Sequence, residues 1–319
     1  MFSLFFIPEE ENFAQEVTEQ WIKANMELWR NKGENKMFNK LTNRVYYMDF
    51  QQEGDRPVLG LVVGDKDSLV IDGGNSKEHA EKFLSYVKEL NIPNVKYLVL
   101  THWHWDHVFG IKTMNLINIV HKQSNEKLEW MKGLEWTDEA IRKRVENKKE
   151  IEFCEEHIKI EHKNNDRKIE VANADIIFDR NIEINLGGVI VKVEHINVDH
   201  SEDCCLVNVV DENVTFMGDA MYLDMYNGPW SYSREKLYPL LDKLISYNSE
   251  YYIPAHHSKY TYEEFDDFVK YIKEIGDIVG ESTNLEKVIL GINKNNNKEI
   301  SEENIEDIKV FIEGNKKNK

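Results

Sequence analysis

Thr101-His102-Trp103-His104-Trp105-Asp106-His107 follows directly on the apolar run Tyr97-Leu98-Val99-Leu100. Such a run reads as a buried strand, and a loop at its C-terminal end can turn several side chains toward one point. Four side chains able to ligate a metal fall within six residues, and three of the chain's 11 histidines are among them. His102 and His104 lie two apart, so both face one side if the chain stays extended. Asp106 and His107 follow in the turn. Imidazole and carboxylate are the donors zinc takes at hydrolytic sites, so the segment predicts a metal centre at a strand end.

Upstream, residues 9 to 32 place Phe13, Val17, Trp21, Met26 and Trp29 near helical spacing. Strands are predicted at 44–48, 58–63 and 68–71, with Gly64 to Asp67 as a turn, and a helix from Lys77 to about Leu90. Downstream, residues 122–170 are dense in Lys and Glu, with Trp130, Trp136 and Phe153 among them. They read as one or two amphipathic helices inserted in the domain. With Trp103 and Trp105 they would wall the metals, or else form the face of a homodimer. Strands resume at 176–178, 182–184, 189–194, 205–210 and 214–217, followed by a helix at 233–246 and a short strand at 251–253. A charged helical tail occupies about 262–319, with a polar break at 293–298. The expected architecture is a single α/β domain over 1–319, of two mostly antiparallel sheets covered by helices.

The chain has 319 residues, 41% hydrophobic, enough for a sizeable core. Its net charge of -18 repels phosphate backbones and anionic membranes, so neither nucleic acid nor membrane is an expected partner. Cys154, Cys204 and Cys205 show no disulfide spacing. The apolar start Met1 to Ile7 runs into Pro8-Glu9-Glu10-Glu11, too short for a signal peptide or a membrane span. A cytoplasmic protein is expected.

Further candidate ligands each close a predicted strand: His200 in Val198-Asp199-His200, Asp219 in Phe216-Met217-Gly218-Asp219-Ala220, and His256 in Ile253-Pro254-Ala255-His256-His257. In this order they resemble the metallo-β-lactamase superfamily. Val70-Ile71-Asp72-Gly73-Gly74 is similar to its first motif, and Thr101 to His107 to the second, His-x-His-x-Asp-His. The three segments just quoted match the third, fourth and fifth. The likeness spans about residues 40 to 260. Two departures stand out: Asp199 replaces the usual Gly before His200, and His257 replaces the Gly after His256. His256 is favoured as the last ligand because it follows the Pro-small pair, with His257 its rival.

The resemblance implies a four-layer αβ/βα sandwich of two mixed sheets. It implies a first metal on His102, His104 and His200, a second on Asp106, His107 and His256, and Asp219 bridging them. Two zinc ions, or iron or manganese on the same donors, would turn water into hydroxide near neutral pH. Asp106 would orient that nucleophile and Asp72 would support the ligands. Asp219 stands where common β-lactamases carry Cys, so glyoxalase II, lactonases and phosphodiesterases are the nearer likeness. Tyr222, three residues after Asp219, is similar to a lactonase tyrosine that contacts the substrate carbonyl. The acidic stretch Tyr260 to Asp277 argues against a glutathione thioester, and Lys259 could meet a substrate carboxylate. The expected activity is hydrolysis of a small ester, lactone or similar molecule. Phosphodiester or β-lactam cleavage is the alternative within the fold, and a non-catalytic metal-dependent sensor the alternative outside it.

Overall fold

The computed structural model describes residues 37–165, 167–296 and 302–317. The helix predicted over 9 to 32 and parts of the tail's polar break lie outside the described residues. A larger unit, residues 36–222 with 235–268, holds both sheets.

The first sheet runs β1 (Phe38–Lys40), β2 (Val45–Met48), β3 (Leu59–Val63), β4 (Ser68–Ile71), β5 (Val95–Val99), β6 (Ile117–His121) and β7 (Ile176–Phe178), in that spatial order. Its first four strands pair antiparallel and the rest parallel. Parallel pairs need covered faces, and β4 is accordingly buried along its whole length. The second sheet comprises β8 (Asn181–Asn185), β9 (Ile190–His195), β10 (Cys205–Val209), β11 (Val214–Gly218), β12 (Tyr251–Pro254) and β13 (Tyr260–Thr261). It is antiparallel except where β11 meets β12. Leu69, Ile71, Val99 and Ile119 of the first sheet pack against Val193, Val207, Phe216 and Ile253 of the second, forming the core.

Helix α1 (Lys77–Lys88) starts where the Ser76 hydroxyl accepts the His79 amide at 3.0 Å, and it buries Ala80, Phe83 and Val87. Single-turn α2 (Trp105–Val108) and α3 (Ile111–Met114) follow β5. The inserted segment forms three helices rather than one or two: α4 (Lys122–Met131), α5 (Asp138–Glu146) and α6 (Glu152–Glu161). On the second sheet, α7 (Arg234–Ser246) and α8 (Tyr262–Val279) meet at Tyr252: its hydroxyl donates to the Leu244 carbonyl at 3.1 Å, and its ring stacks on Phe265 at 4.3 Å. The result is an αβ/βα sandwich of two mixed sheets with flanking helices.

The second unit comprises 223–234 and the described part of 269–319, including α9 (Leu285–Asn296) and α10 (Glu302–Lys317). Tyr232 packs on Phe311 at 5.7 Å, and its amide donates to the Val310 carbonyl at 3.1 Å. Among the described residues no helix is long and apolar enough to cross a membrane. All three cysteines are free and buried.

Candidate metal centre

Strand ends from both sheets converge at one edge of the sandwich. Asp72 follows β4, the segment Thr101 to His107 follows β5, His200 lies in the loop after β9, Asp219 caps β11, and His256 follows β12. Two side-chain groups result: His102, His104, His200 and Asp219, and Asp106, His107, Asp219 and His256. Within each group the donor atoms lie within 4.8 Å of one another. The seven residues expected from sequence are thus brought together, and Asp219 belongs to both groups. His257 is in neither. Its ring lies 5.5 Å from Tyr222, and burial, then the charge of His256, draws its pKa down to about 4.

Local backbone explains the convergence. Helix α2 winds Asp106 and His107 back toward His102. Gly218 sits at φ 51, and a side chain there would come within 2.7 Å of the Thr101 hydroxyl. Only glycine lets β11 approach Thr101 so closely, which sets Asp219 beside His102. The Cys205 amide donates to the Thr101 carbonyl at 2.8 Å, tying the sheets together at this point. Asp72 also adopts a left-handed backbone, φ 64. Its carboxylate accepts the Thr101 amide at 2.7 Å and hydroxyl at 2.8 Å, and faces His107 Nδ1 at 2.8 Å. With its proton on Nδ1, His107 presents the lone pair of Nε2 to the centre.

One oxygen, Asp219 Oδ2, lies 3.6 Å from His102 Nε2, 3.5 Å from His107 Nε2, 3.4 Å from His200 Nε2 and 3.6 Å from His256 Nε2. Two donors on one tetrahedral zinc, with bonds of about 2.0–2.2 Å, sit roughly 3.3–3.6 Å apart. These separations therefore fit donors around ions better than donors bonded to each other. Among the described residues, the buried Nε2 of His102 and Oδ1 of Asp219 have no hydrogen-bond partner. Unsatisfied polar atoms are costly in a protein interior, and a bound divalent cation would give such atoms a partner.

The electrostatics agree. Burial, then neighbouring His107 and His104, holds the His102 imidazole well below its usual range. Burial would do the same to His107 and His256. The carboxylates outweigh it, Asp106 and Asp72 first at His107 and Asp55 and Asp219 first at His256, and both rise well above the usual range. Burial also opposes ionisation of Asp219, but His256 and His107 hold it well below the usual carboxylate range. The anionic field is strong enough to draw protons onto two imidazoles, and metal ions would take over that positive charge.

Several participants carried no signal in the sequence. Asp55 Oδ1 lies 3.2 Å from His256 Nδ1, and burial raises Asp55 to about 6 against the pull of His256. The loop of His200 is tied down by Trp103 Nε1 donating to Ser201 Oγ at 3.1 Å, and by Ser201 and Ser124 donating to Asp203, both at 2.6 Å. Asp199, before His200, lies 3.9 Å from Lys236. The Lys259 ammonium lies 5.7 Å from the Tyr251 ring centroid.

The aromatic wall expected from sequence divides in two. Trp103 packs 4.9 Å from His104 and 5.7 Å from Trp130, which is 41% exposed. Trp105 and Trp136 instead belong to the core: both pack on Phe109, Trp136 at 4.7 Å with the Arg144 guanidinium 4.6 Å from its ring. Phe153 stacks on its own helix, against His157 at 4.0 Å. Trp136→Ala is therefore expected to cost about 3–5 kcal/mol in chemical denaturation, and Trp130→Ala less than about 1 kcal/mol. Equal costs would contradict this division.

Residues 55–256 match the family model of the metallo-beta-lactamase superfamily. No curated protein matches the sequence as a relative. Among solved structures, a metallo-beta-lactamase from Pontibacter korlensis superposes with TM-score 0.50 at 16% identity, over 73% of this chain and 96% of its own. A metallo-beta-lactamase family protein from Thermus thermophilus gives 0.52 at 15%, over 86% and 93%. The inverting sec-alkylsulfatase Pisa1 from Pseudomonas sp. gives 0.60 at 12%, over 87% of this chain but 48% of its own. These likenesses speak to the fold, and the family match extends over the strands that carry the His/Asp cluster: the chain belongs to the metallo-beta-lactamase superfamily.

Proposed function

We propose that this protein is a dinuclear metal-dependent hydrolase of small esters, lactones or similar molecules, with 1–319 acting as one functional domain. The observation that carries the reading is the single oxygen, Asp219 Oδ2, between 3.4 and 3.6 Å from four imidazole nitrogens. His102, His104 and His200 would hold one ion, Asp106, His107 and His256 the other, and Asp219 both. Two divalent cations, zinc first and iron or manganese on the same donors, would supply Lewis acidity toward the substrate oxygen and lower the pKa of an attacking water.

The chain's own residues supply the rest. Asp106, 3.0 Å from His107 Nε2 and 3.1 Å from His256 Nε2, presents a carboxylate that would orient the water. The Tyr222 ring lies 5.8 Å from His200 and 6.0 Å from His256. Burial, then the charge of Asp219, raises the Tyr222 pKa well above the usual range. A phenol of that kind is suited to a developing carbonyl oxyanion, which favours ester or lactone over phosphodiester.

The test is a panel of chromogenic esters, lactones, phosphodiesters and cephalosporins, run with and without chelator on metal-loaded protein. Ester or lactone turnover should dominate, fall by about a hundredfold or more on chelation, and return with added zinc. Turnover confined to phosphodiesters or cephalosporins would overturn the substrate class. No chelator-sensitive turnover on any substrate would favour a metal-dependent binding module.

A further inference from the structure

We infer that Asp55 is the positioning residue for His256, and that the inserted helix α6 fixes it in place through Arg56 and Glu161; the inference rests on the metal-site reading above. A histidine can offer Nε2 to an ion only if its proton sits on Nδ1, and an acceptor at Nδ1 both selects that tautomer and fixes the ring plane. His256 Nε2 faces Asp106 and Asp219, while its Nδ1 lies 3.2 Å from Asp55 Oδ1. His107 has the same arrangement with Asp72. In the other group, the Thr101 hydroxyl rather than a carboxylate lies beside His102 Nδ1, at 3.3 Å.

The turn that carries Asp55 is held on several sides. Asp55 adopts φ 55, a conformation that costs a residue other than glycine and persists where the surroundings impose it. Gln51 and Arg56 exchange backbone hydrogen bonds of 2.9 Å across the turn. Asn75 Nδ2 donates to the Gly54 carbonyl at 2.6 Å. The Arg56 guanidinium grips Glu161 with Nη2 at 2.8 Å and Nε at 3.0 Å. Glu161, the last residue of α6, also accepts the Ser76 hydroxyl at 2.5 Å. The next residue, His162, donates from Nε2 to the Asn75 carbonyl at 2.9 Å. A planar two-point ion pair of this kind fixes direction as well as distance. The end of the insertion thus braces the turn that aims His256.

Full-length protein, stripped of metal and titrated with cobalt(II), tests this by the number of binding steps, their affinities and the visible spectrum of each. The native chain should bind two ions. Asp55→Gly removes the carboxylate where glycine suits the backbone best, so the metal-free fold should be kept. One binding step should weaken by about 10–100-fold with a changed spectrum, while the other stays as in the native chain. Asp55→Asn, which retains an acceptor oxygen, should recover part of the loss. Glu161→Gln should weaken the same step by a smaller factor. Two unchanged steps in Asp55→Gly would overturn the inference alone. A native chain that takes up no ion would overturn the metal-site reading, and the inference with it. Equal weakening of both steps, with loss of thermal stability in the metal-free protein, would show a general structural role and overturn it too.

Discussion

On the proposed dinuclear reading, Asp219→Ala is expected to reduce bound metal from two ions per chain to one or none, and kcat/KM by about a thousandfold or more. The reasoning starts from position. Among the described residues, Asp219 is the one common to both donor groups, so its loss opens both at once. Each of the four imidazoles around it loses its nearest common anion, and His107 and His256 lose part of the field that draws positive charge to the centre. Losing metal-derived stabilisation worth several kcal/mol translates into about three powers of ten in rate. Elemental analysis of the purified variant and initial rates on the best substrate of the panel measure the two effects. The fold itself should survive, because β11 and Gly218 are unchanged; a native-like circular dichroism spectrum would check this. Wild-type metal content in the variant would overturn the proposed bridging role of Asp219.

The second large effect is expected at Asp72. Its carboxylate accepts from three buried donors, the Thr101 amide, the Thr101 hydroxyl and His107 Nδ1. Asp72→Ala would leave all three unsatisfied in a region closed to water, at a cost on the order of 3–5 kcal/mol. For a chain of this size that corresponds to a fall in melting temperature of roughly 10 °C in the metal-free protein. Metal affinity at the His107 group should fall about 10–100-fold in addition. Asp72→Asn separates the two effects. Its amide oxygen still accepts from Thr101, and Asn tolerates the φ 64 backbone, so most of the stability should return. An NH2 group facing His107 Nδ1 cannot accept a proton from it, so the metal deficit should persist. An asparagine variant with native metal affinity would show that Asp72 acts on the fold alone.

The strands were legible in the sequence because both sheets bury continuous apolar runs. Val58 to Val63, Ser68 to Ile71 and Val214 to Met217 stand out against polar turns, and the observed boundaries lie within a residue or so. Strands β1, β6 and β13 were missed: β1 and β13 are only three and two residues long, and Asn118 interrupts the run of β6. Helices α2 and α3 are single turns, shorter than any periodicity can register. The ligands in Thr101 to His107 declared themselves by spacing, whereas His200, Asp219 and His256 needed the order of motifs. Asp55 gave no sign at all. Its relation to His256, and that of Arg56 to Glu161 over 105 residues, exists only once the chain is folded. The tryptophans show the converse failure. Trp130 and Trp136 look alike in a Lys- and Glu-rich segment, yet one is exposed beside the ligand loop and the other is buried on Phe109, a choice made by helix orientation rather than composition.

The approach of β11 to Thr101 at Gly218 also sets an order of events during synthesis. The donors that meet there are far apart in the chain: His104 and His200 are separated by 96 residues, and Asp106 and His256 by 150. A ribosome therefore exposes the Thr101 to His107 segment long before its counterparts exist. A nascent chain can offer an ion only the isolated second motif until β11 has docked against the first sheet. Long-range pairing of this kind forms late, so the full donor set arises only once the chain is nearly folded. Availability of metal should then alter how long the finished fold persists more than how quickly it is reached.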